Sequence, residues 1–204
     1  MIDTSWLRLI AITDNVRDGQ SGLIARASAA VQGGATCVQL RLKDVAARDL
    51  VGVARELIKT VNVPVIVNDR ADVAIAAGAA GVHLGPDDVP VSAVRSISPP
   101  GFFIGASVGS DQEAPLAEGA DYVGVGPVFA TGSKHDAGIP IGLTEFRRLA
   151  DLTGLPAIAI GGISPENARS AIDAGATGIA VISSIFGVSD PLIAAEALAS
   201  AIGR

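Results

Sequence analysis

The run VQLRLK at positions 38–43 sets Gln39, Arg41 and Lys43 two residues apart. In an extended chain their side chains leave one face, while Val38, Leu40 and Leu42 leave the other. An amide and two cations gathered on one face suit an anionic or strongly polar ligand. Asn68-Asp69 closes another β-branched run, and Gly85-Pro86-Asp87-Asp88 follows the next. If those runs are neighbouring strands, roughly 5 Å apart, Asp69 and Asp87 or Asp88 stand at one edge. Carboxylates so placed can share Mg2+, which takes one or two protein carboxylates together with phosphate oxygens and water. The same residue types also serve as turn and helix caps. The stretch GVGPVFATGSKHDAG, 124–138, carries hydroxyls at Thr131 and Ser133 around Gly132, and an ammonium at Lys134, the components of a phosphate grip. His83 alternates with Val82 and Leu84, a pattern more often structural than catalytic. Nothing marks Cys37 as a nucleophile.

These groups need elements to hold them. Short β-branched runs recur at 7–13, 36–42, 63–68, 81–84, 102–106, 121–125, 157–160 and 178–182. Between them lie alanine-rich segments with helical spacing at 22–32, 46–60, 111–119, 143–153, 165–174 and 191–202, and weaker helical stretches at 70–77 and 91–97. Gly-Ala pairs close several helices, as at Gly78-Ala79 and Gly175-Ala176. Eight strand–helix units in 204 residues predict a parallel sheet closed into a (β/α)8 TIM barrel, one domain over 1–204. In that fold helices cover the outer face of the sheet, so the polar face of VQLRLK looks into the lumen near its carboxyl-end mouth. The turns after the seventh and eighth strands, with Gly161-Gly162 and Ile182-Ser183, are where many barrels hold a phosphate on backbone N–H groups.

The composition narrows the partners. With 21 acidic against 15 basic residues the net charge is −6, which argues against nucleic acid or an anionic membrane as partner. A single Cys excludes an intrachain disulfide, no leader pattern is visible, and no apolar run reaches the roughly 18 residues of a membrane span. The expectation is a cytoplasmic protein acting on small phosphorylated molecules. Its surface pattern does not distinguish a monomer from a homo-oligomer.

In order along the chain, VQLRLK, VNDRADVAIAAGAAGVHLGPDD, IGAS, DYVGVGPVFATGSKHDAG, AIGGI and AVISSIF resemble the thiamine-phosphate synthase family. The resemblance covers nearly the whole sequence. It implies a transferase of thiamine biosynthesis that joins 4-amino-5-hydroxymethyl-2-methylpyrimidine diphosphate to a thiazole phosphate with Mg2+, releasing diphosphate. By similarity, Gln39, Arg41, Lys43, Asn68, Ser107 and Lys134 hold the pyrimidine diphosphate, with Leu40 and Leu42 in the same segment. Asp69 and Asp88 bind Mg2+. Thr131, Gly132 and Ser133, with Gly161, Gly162, Ile182 and Ser183, hold the thiazole phosphate. Arg41, Lys43 and Lys134 are the catalytic cations. Two positions depart from the family pattern: Leu42 stands where an acid is common and Ser133 where Thr is common. Leu42 is expected to point away from the lumen, and Ser133 keeps the hydroxyl. The related thiazole tautomerases carry a catalytic His shortly after the fifth strand, where this chain reads IGASVGSDQ. A non-catalytic precursor-binding barrel would be expected to have lost the carboxylates and cations that are present here.

Overall fold

A computed structural model describes residues 3–14, 19–132 and 138–203. Eight strands follow one another: β1 (Leu9–Ile12), β2 (Cys37–Leu40), β3 (Val65–Asn68), β4 (Gly81–Leu84), β5 (Phe103–Val108), β6 (Tyr122–Val125), β7 (Ala157–Ile160) and β8 (Gly178–Val181). Each pairs in parallel with the next, and β8 returns to β1, so the sheet closes in sequence order. The expected (β/α)8 barrel is what the chain forms.

Closure follows from the sequence, because strands apolar on both faces must be covered on both. Side chains alternate into two separate cores. Leu9, Val38, Leu40, Val65, Val82 and Ile104 face outward beneath the helices. Ile10, Ile12, Cys37, Ile66, Phe103, Tyr122, Ile158 and Ala180 fill the lumen. The amino end of the lumen is plugged by a 3-10 turn, Thr4–Leu7, which adds Leu7 and packs Trp6 against Phe103 with ring centroids 5.3 Å apart. Asp3 caps this turn by accepting from the Ser5 N–H at 3.0 Å.

The outer layer consists of α1 (Gly19–Gln32), α2 (Ala47–Thr60), α3 (Ala71–Ala77), α4 (Val91–Ile97), α5 (Gly142–Thr153), α6 (Ala168–Asp173), α7 (Ser183–Phe186) and α8 (Pro191–Ala201). In α2 the buried residues are Leu50, Val53, Ala54 and Leu57, the i, i+3, i+4, i+7 stripe that rests one helix face on the sheet. Burial of each such leucine contributes about 1.5–3 kcal/mol. Gly78 closes α3 with φ 73°, a conformation that glycine adopts without a Cβ penalty. At the amino ends of β5 and β6, Arg95 reaches from α4 to the Phe102 carbonyl at 2.8 Å and to Asp121 at 2.6 Å. Asp121 in turn accepts from the Ile104 N–H.

Two expected helices are shorter than their spacing suggests. Over 111–119 there is only a 3-10 turn, Ala114–Ala117. Pro115 has no N–H to give, and the bonds from Leu116 to Glu113 and from Glu118 to Pro115 close at i→i−3. Over 165–174 the helix begins at Ala168, because the Asn167 side chain captures the backbone ahead of it. Its Oδ1 accepts from the Ser164 N–H at 2.8 Å and its Nδ2 donates to the Gly162 carbonyl at 2.9 Å. The short α7 after β8 was not anticipated. Among the described residues no helix is long and apolar enough to cross a membrane.

Candidate active site

The polar residues gather at the carboxyl end of the lumen, where β2 contributes first. Gln39 lies level with Ile12 and Ile66, and its Nε2 donates to Asn68 Oδ1 at 2.6 Å across to β3. That bond leaves the Gln39 carbonyl and the Asn68 amide group for a ligand. Arg41 follows two residues later and is only 7% exposed. Its backbone is fixed by Thr13, a fully buried hydroxyl that accepts from the Arg41 N–H at 2.8 Å and pairs with the Arg41 carbonyl at 3.0 Å. Among the described residues the Arg41 guanidinium has no hydrogen bond or ion pair. A buried charge without a counterion is costly, and this one is positioned to take an anion from outside.

Leu40 and Leu42 leave the opposite face and pack in the outer core, so what they offer a ligand in the lumen is backbone. The direction of Leu42 is the one expected from strand alternation. Lys43 is exposed three residues beyond the end of β2, next to Asp44 with φ 61°. Strand alternation no longer fixes its direction there, whereas it does for Gln39.

The carboxylates come from the next two strand ends. Asp69 follows Asn68 directly, is exposed, and has φ 63°, a region sparsely populated by residues other than glycine though tolerated by Asp. Its N–H donates to the His83 carbonyl at 2.8 Å, which ties the mouth of β3 to β4. Asp88 is half-buried, and its Oδ2 accepts from the Gly85 N–H at 2.6 Å. Thus one oxygen of Asp88 does the turn-capping work anticipated for it, and the other is available to a cation. Asp87 is exposed. Among the described residues no three His, Cys, Asp or Glu side chains cluster as metal ligands. A set of two hard carboxylate donors is too small for a closed zinc site and fits Mg2+, which keeps water and phosphate oxygens in its shell.

On the far wall, Ser107 on β5 is half-buried and His83 on β4 is buried. The His83 ring lies between two hydroxyls, with Nε2 3.0 Å from Ser107 Oγ and Nδ1 2.9 Å from Tyr122 Oη. Burial pushes the Tyr122 phenol well above its usual value, with the nearby Cys37 and Asp121 acting in the same direction. Burial likewise raises the Cys37 thiol to about 12, so it is no thiolate nucleophile at neutral pH.

The last wall is glycine. Gly161 and Gly162 follow β7 with φ 93° and 66°, and a Cβ on Gly162 would lie 2.8 Å from the Cβ of Phe129. The segment after β6 is laced to them, since Val128 donates to the Ile160 carbonyl at 2.9 Å and Phe129 to the Gly161 carbonyl at 3.0 Å. Ile182 is buried at the top of the lumen core, and Ser183, exposed, opens α7. Thr131 is half-buried and Gly132 exposed. Ser133 and Lys134, together with His135, lie outside the described residues.

Sequence reasoning therefore located Gln39, Arg41, Asn68 and Ser107 on one lumen, with Asp69 and Asp88 at its rim. It missed Thr13 and Tyr122, which position site residues. Thr13 carries a faint signal as the polar residue that ends an apolar strand. Tyr122 carries none, since its partner is 39 residues away.

A profile of the thiamine monophosphate synthase family matches residues 9–185. The thiamine-phosphate synthase of Methanoculleus marisnigri is 52% identical over 180 residues, 86% of this chain and 84% of that protein. The one from Moorella thermoacetica is 43% identical over 204 residues, 98% of this chain and 97% of that protein. Among solved structures, thiamine phosphate pyrophosphorylase from Pyrococcus furiosus superposes with a TM-score of 0.85 at 38% identity, covering 98% and 96% of the two chains. A 3-hexulose-6-phosphate synthase, 17% identical with a TM-score of 0.73 over 97% and 100%, shares the fold alone. Because the match runs around the barrel and through every strand end that builds the mouth, this chain belongs to the thiamine monophosphate synthase family.

Proposed function

We infer that this chain is a thiamine-phosphate synthase that joins 4-amino-5-hydroxymethyl-2-methylpyrimidine diphosphate to thiazole phosphate. The carrying observation is Arg41, a buried guanidinium without a protein counterion among the described residues, two residues along the chain from Gln39, whose amide pairs with that of Asn68. A diphosphate supplies the charge that Arg41 lacks, and a pyrimidine supplies partners for the two amides.

The reaction is a dissociative substitution. The carbon–oxygen bond to diphosphate breaks with its electron pair on the leaving oxygen, and the pyrimidine delocalises the positive charge left on its methylene. The thiazole nitrogen then donates its lone pair to that carbon. No protein nucleophile is needed, in keeping with the protonated state of Cys37. Arg41, with Lys43 and Lys134, stabilises charge growing on the departing diphosphate, the kind of electrostatic effect that is large in a water-poor site. Gln39, Asn68 and Ser107 orient the pyrimidine, so that the two reacting atoms meet without further searching. The second phosphate is held by Thr131, Gly132 and Ser133 with Gly161, Gly162, Ile182 and Ser183, where left-handed glycines let backbone N–H groups approach an anion. Asp69 and Asp88 hold Mg2+, which when bound neutralises charge on the diphosphate.

The test is to incubate the protein with both substrates, with Mg2+ or with chelator, and to follow thiamine phosphate and diphosphate together. Equal, Mg2+-dependent appearance of the two products is expected. A folded protein that makes neither product overturns the assignment.

A further inference from the structure

Four lumen positions around His83 bear on how the site reads its ligand. His83 on β4 is level with Gly105 on β5, Gly105 is level with Tyr122 on β6, and Ser107 is level with Gly124. The two glycines make room for the rings. A Cβ on Gly105 would come 2.5 Å from His83 Nδ1 and would overlap the Tyr122 ring, and one on Gly124 would lie 3.0 Å from His83 Cε1. The imidazole thus sits in a slot cut to its shape, with a hydroxyl at each nitrogen.

We propose that His83 is a positioning residue: Tyr122 locks it in the neutral form protonated on Nε2, and His83 in turn fixes Ser107 as a hydrogen-bond donor aimed at an acceptor atom of the ligand. The part concerning the ligand rests on the synthase reading above; the lock itself does not.

Tyr122 is fully buried, and among the described residues its hydroxyl has a single hydrogen-bond partner, His83 Nδ1 at 2.9 Å. The phenol proton therefore has one acceptor to go to, and Nδ1 accepts only when it carries no proton of its own. The Nδ1-protonated tautomer and the imidazolium would each strand a buried O–H, which disfavours them roughly ten- to a hundred-fold. With Nδ1 accepting, the ring proton is on Nε2 and donates to Ser107 Oγ at 3.0 Å. A serine oxygen occupied in this way keeps its own proton for another partner. Burial holds the Tyr122 phenol well above its usual range, so the phenol keeps the proton that it donates. Ser107 then favours a ligand atom with a lone pair and disfavours an N–H or O–H at the same place.

Long-range proton–nitrogen spectra of the 15N-labelled protein read the tautomer directly. The sequence has two histidines, and His83→Gln identifies the signal that belongs to this one. A single Nε2-protonated signal is expected, replaced in Tyr122→Phe by two tautomers in exchange. An Nδ1-protonated or doubly protonated ring at neutral pH in the unaltered protein overturns the proposal. Kinetics supply the second arm. His83→Gln retains an N–H near the Nε2 position and is expected to stay within a few-fold of the parent, whereas His83→Leu is expected to lose about tenfold in kcat/KM for the pyrimidine diphosphate. The KM for thiazole phosphate should be unchanged in both. Equal losses in the two variants, or an equal effect on both substrates, overturn the positioning role. If the unaltered protein shows no turnover at all, the synthase reading fails, and the tautomer spectrum still decides the lock.

Discussion

The two ends of the lumen are built by the same eight strands and differ in almost every chemical respect. At the amino end, Trp6, Leu7 and Phe103 make an apolar plug of side chains. At the carboxyl end, Gln39, Arg41, Asn68, His83 and Ser107 are buried or half-buried, and hydrogen bonds join Gln39 to Asn68 at 2.6 Å and His83 to Ser107 at 3.0 Å. One end holds the barrel closed, and the other presents polar groups at its mouth. This separation lets a barrel change its ligand without renegotiating its stability.

Substitutions can break or sharpen that contrast. The largest effect is expected from Phe103→Ala, which opens a cavity in the plug and should cost about 3–5 kcal/mol in a denaturant titration while leaving turnover per folded molecule unchanged. A fall in turnover without a fall in stability would mean that the two ends are coupled. Arg41→Met attacks the other end: kcat/KM is expected to drop by about 10²–10³-fold, and the melting temperature should hold or rise, because a buried charge with no counterion among the described residues is removed. Asp69→Asn should lower Mg2+-dependent turnover by about a hundredfold with the fold intact. Wild-type Mg2+ dependence in that variant would take Asp69 out of the metal site.

The smallest effect concerns pH and belongs to the middle of the barrel. Cys37 has its pKa raised from 9.0 to about 12 by burial. A group raised in the folded state contributes fully below its unfolded pKa, so stability should be lost as pH climbs from about 9 towards 12. Cys37→Ala should flatten that alkaline limb in melts across the range. An unchanged limb would assign the loss to Tyr122, which shifts in the same direction.

Much of this was legible in the sequence, for a physical reason. Alternation within a strand is local, so it placed Gln39 and Arg41 in the lumen and Leu40 and Leu42 outside it. It does not decide the direction of Lys43, three residues past the end of the strand. The helix expected at 111–119 failed on Pro115, whose missing N–H outweighs the favourable spacing around it. The pairing of Thr13 with Arg41 and of Tyr122 with His83 joins residues 28 and 39 positions apart. Such contacts follow from barrel closure and register, which no window of sequence contains.

The glycines opposite His83 also restrict how this lumen can evolve. Gly105 cannot acquire a methyl group while the His83 and Tyr122 rings remain, because the new carbon would fall within 2.5 Å of the imidazole. A lineage must therefore shrink a ring before it enlarges the glycine, and the two changes will be strongly epistatic when made together. Once position 105 has grown, the slot is gone and restoring His83 alone becomes harmful. What positions 83 and 105 can each accept thus depends on what stands at the other.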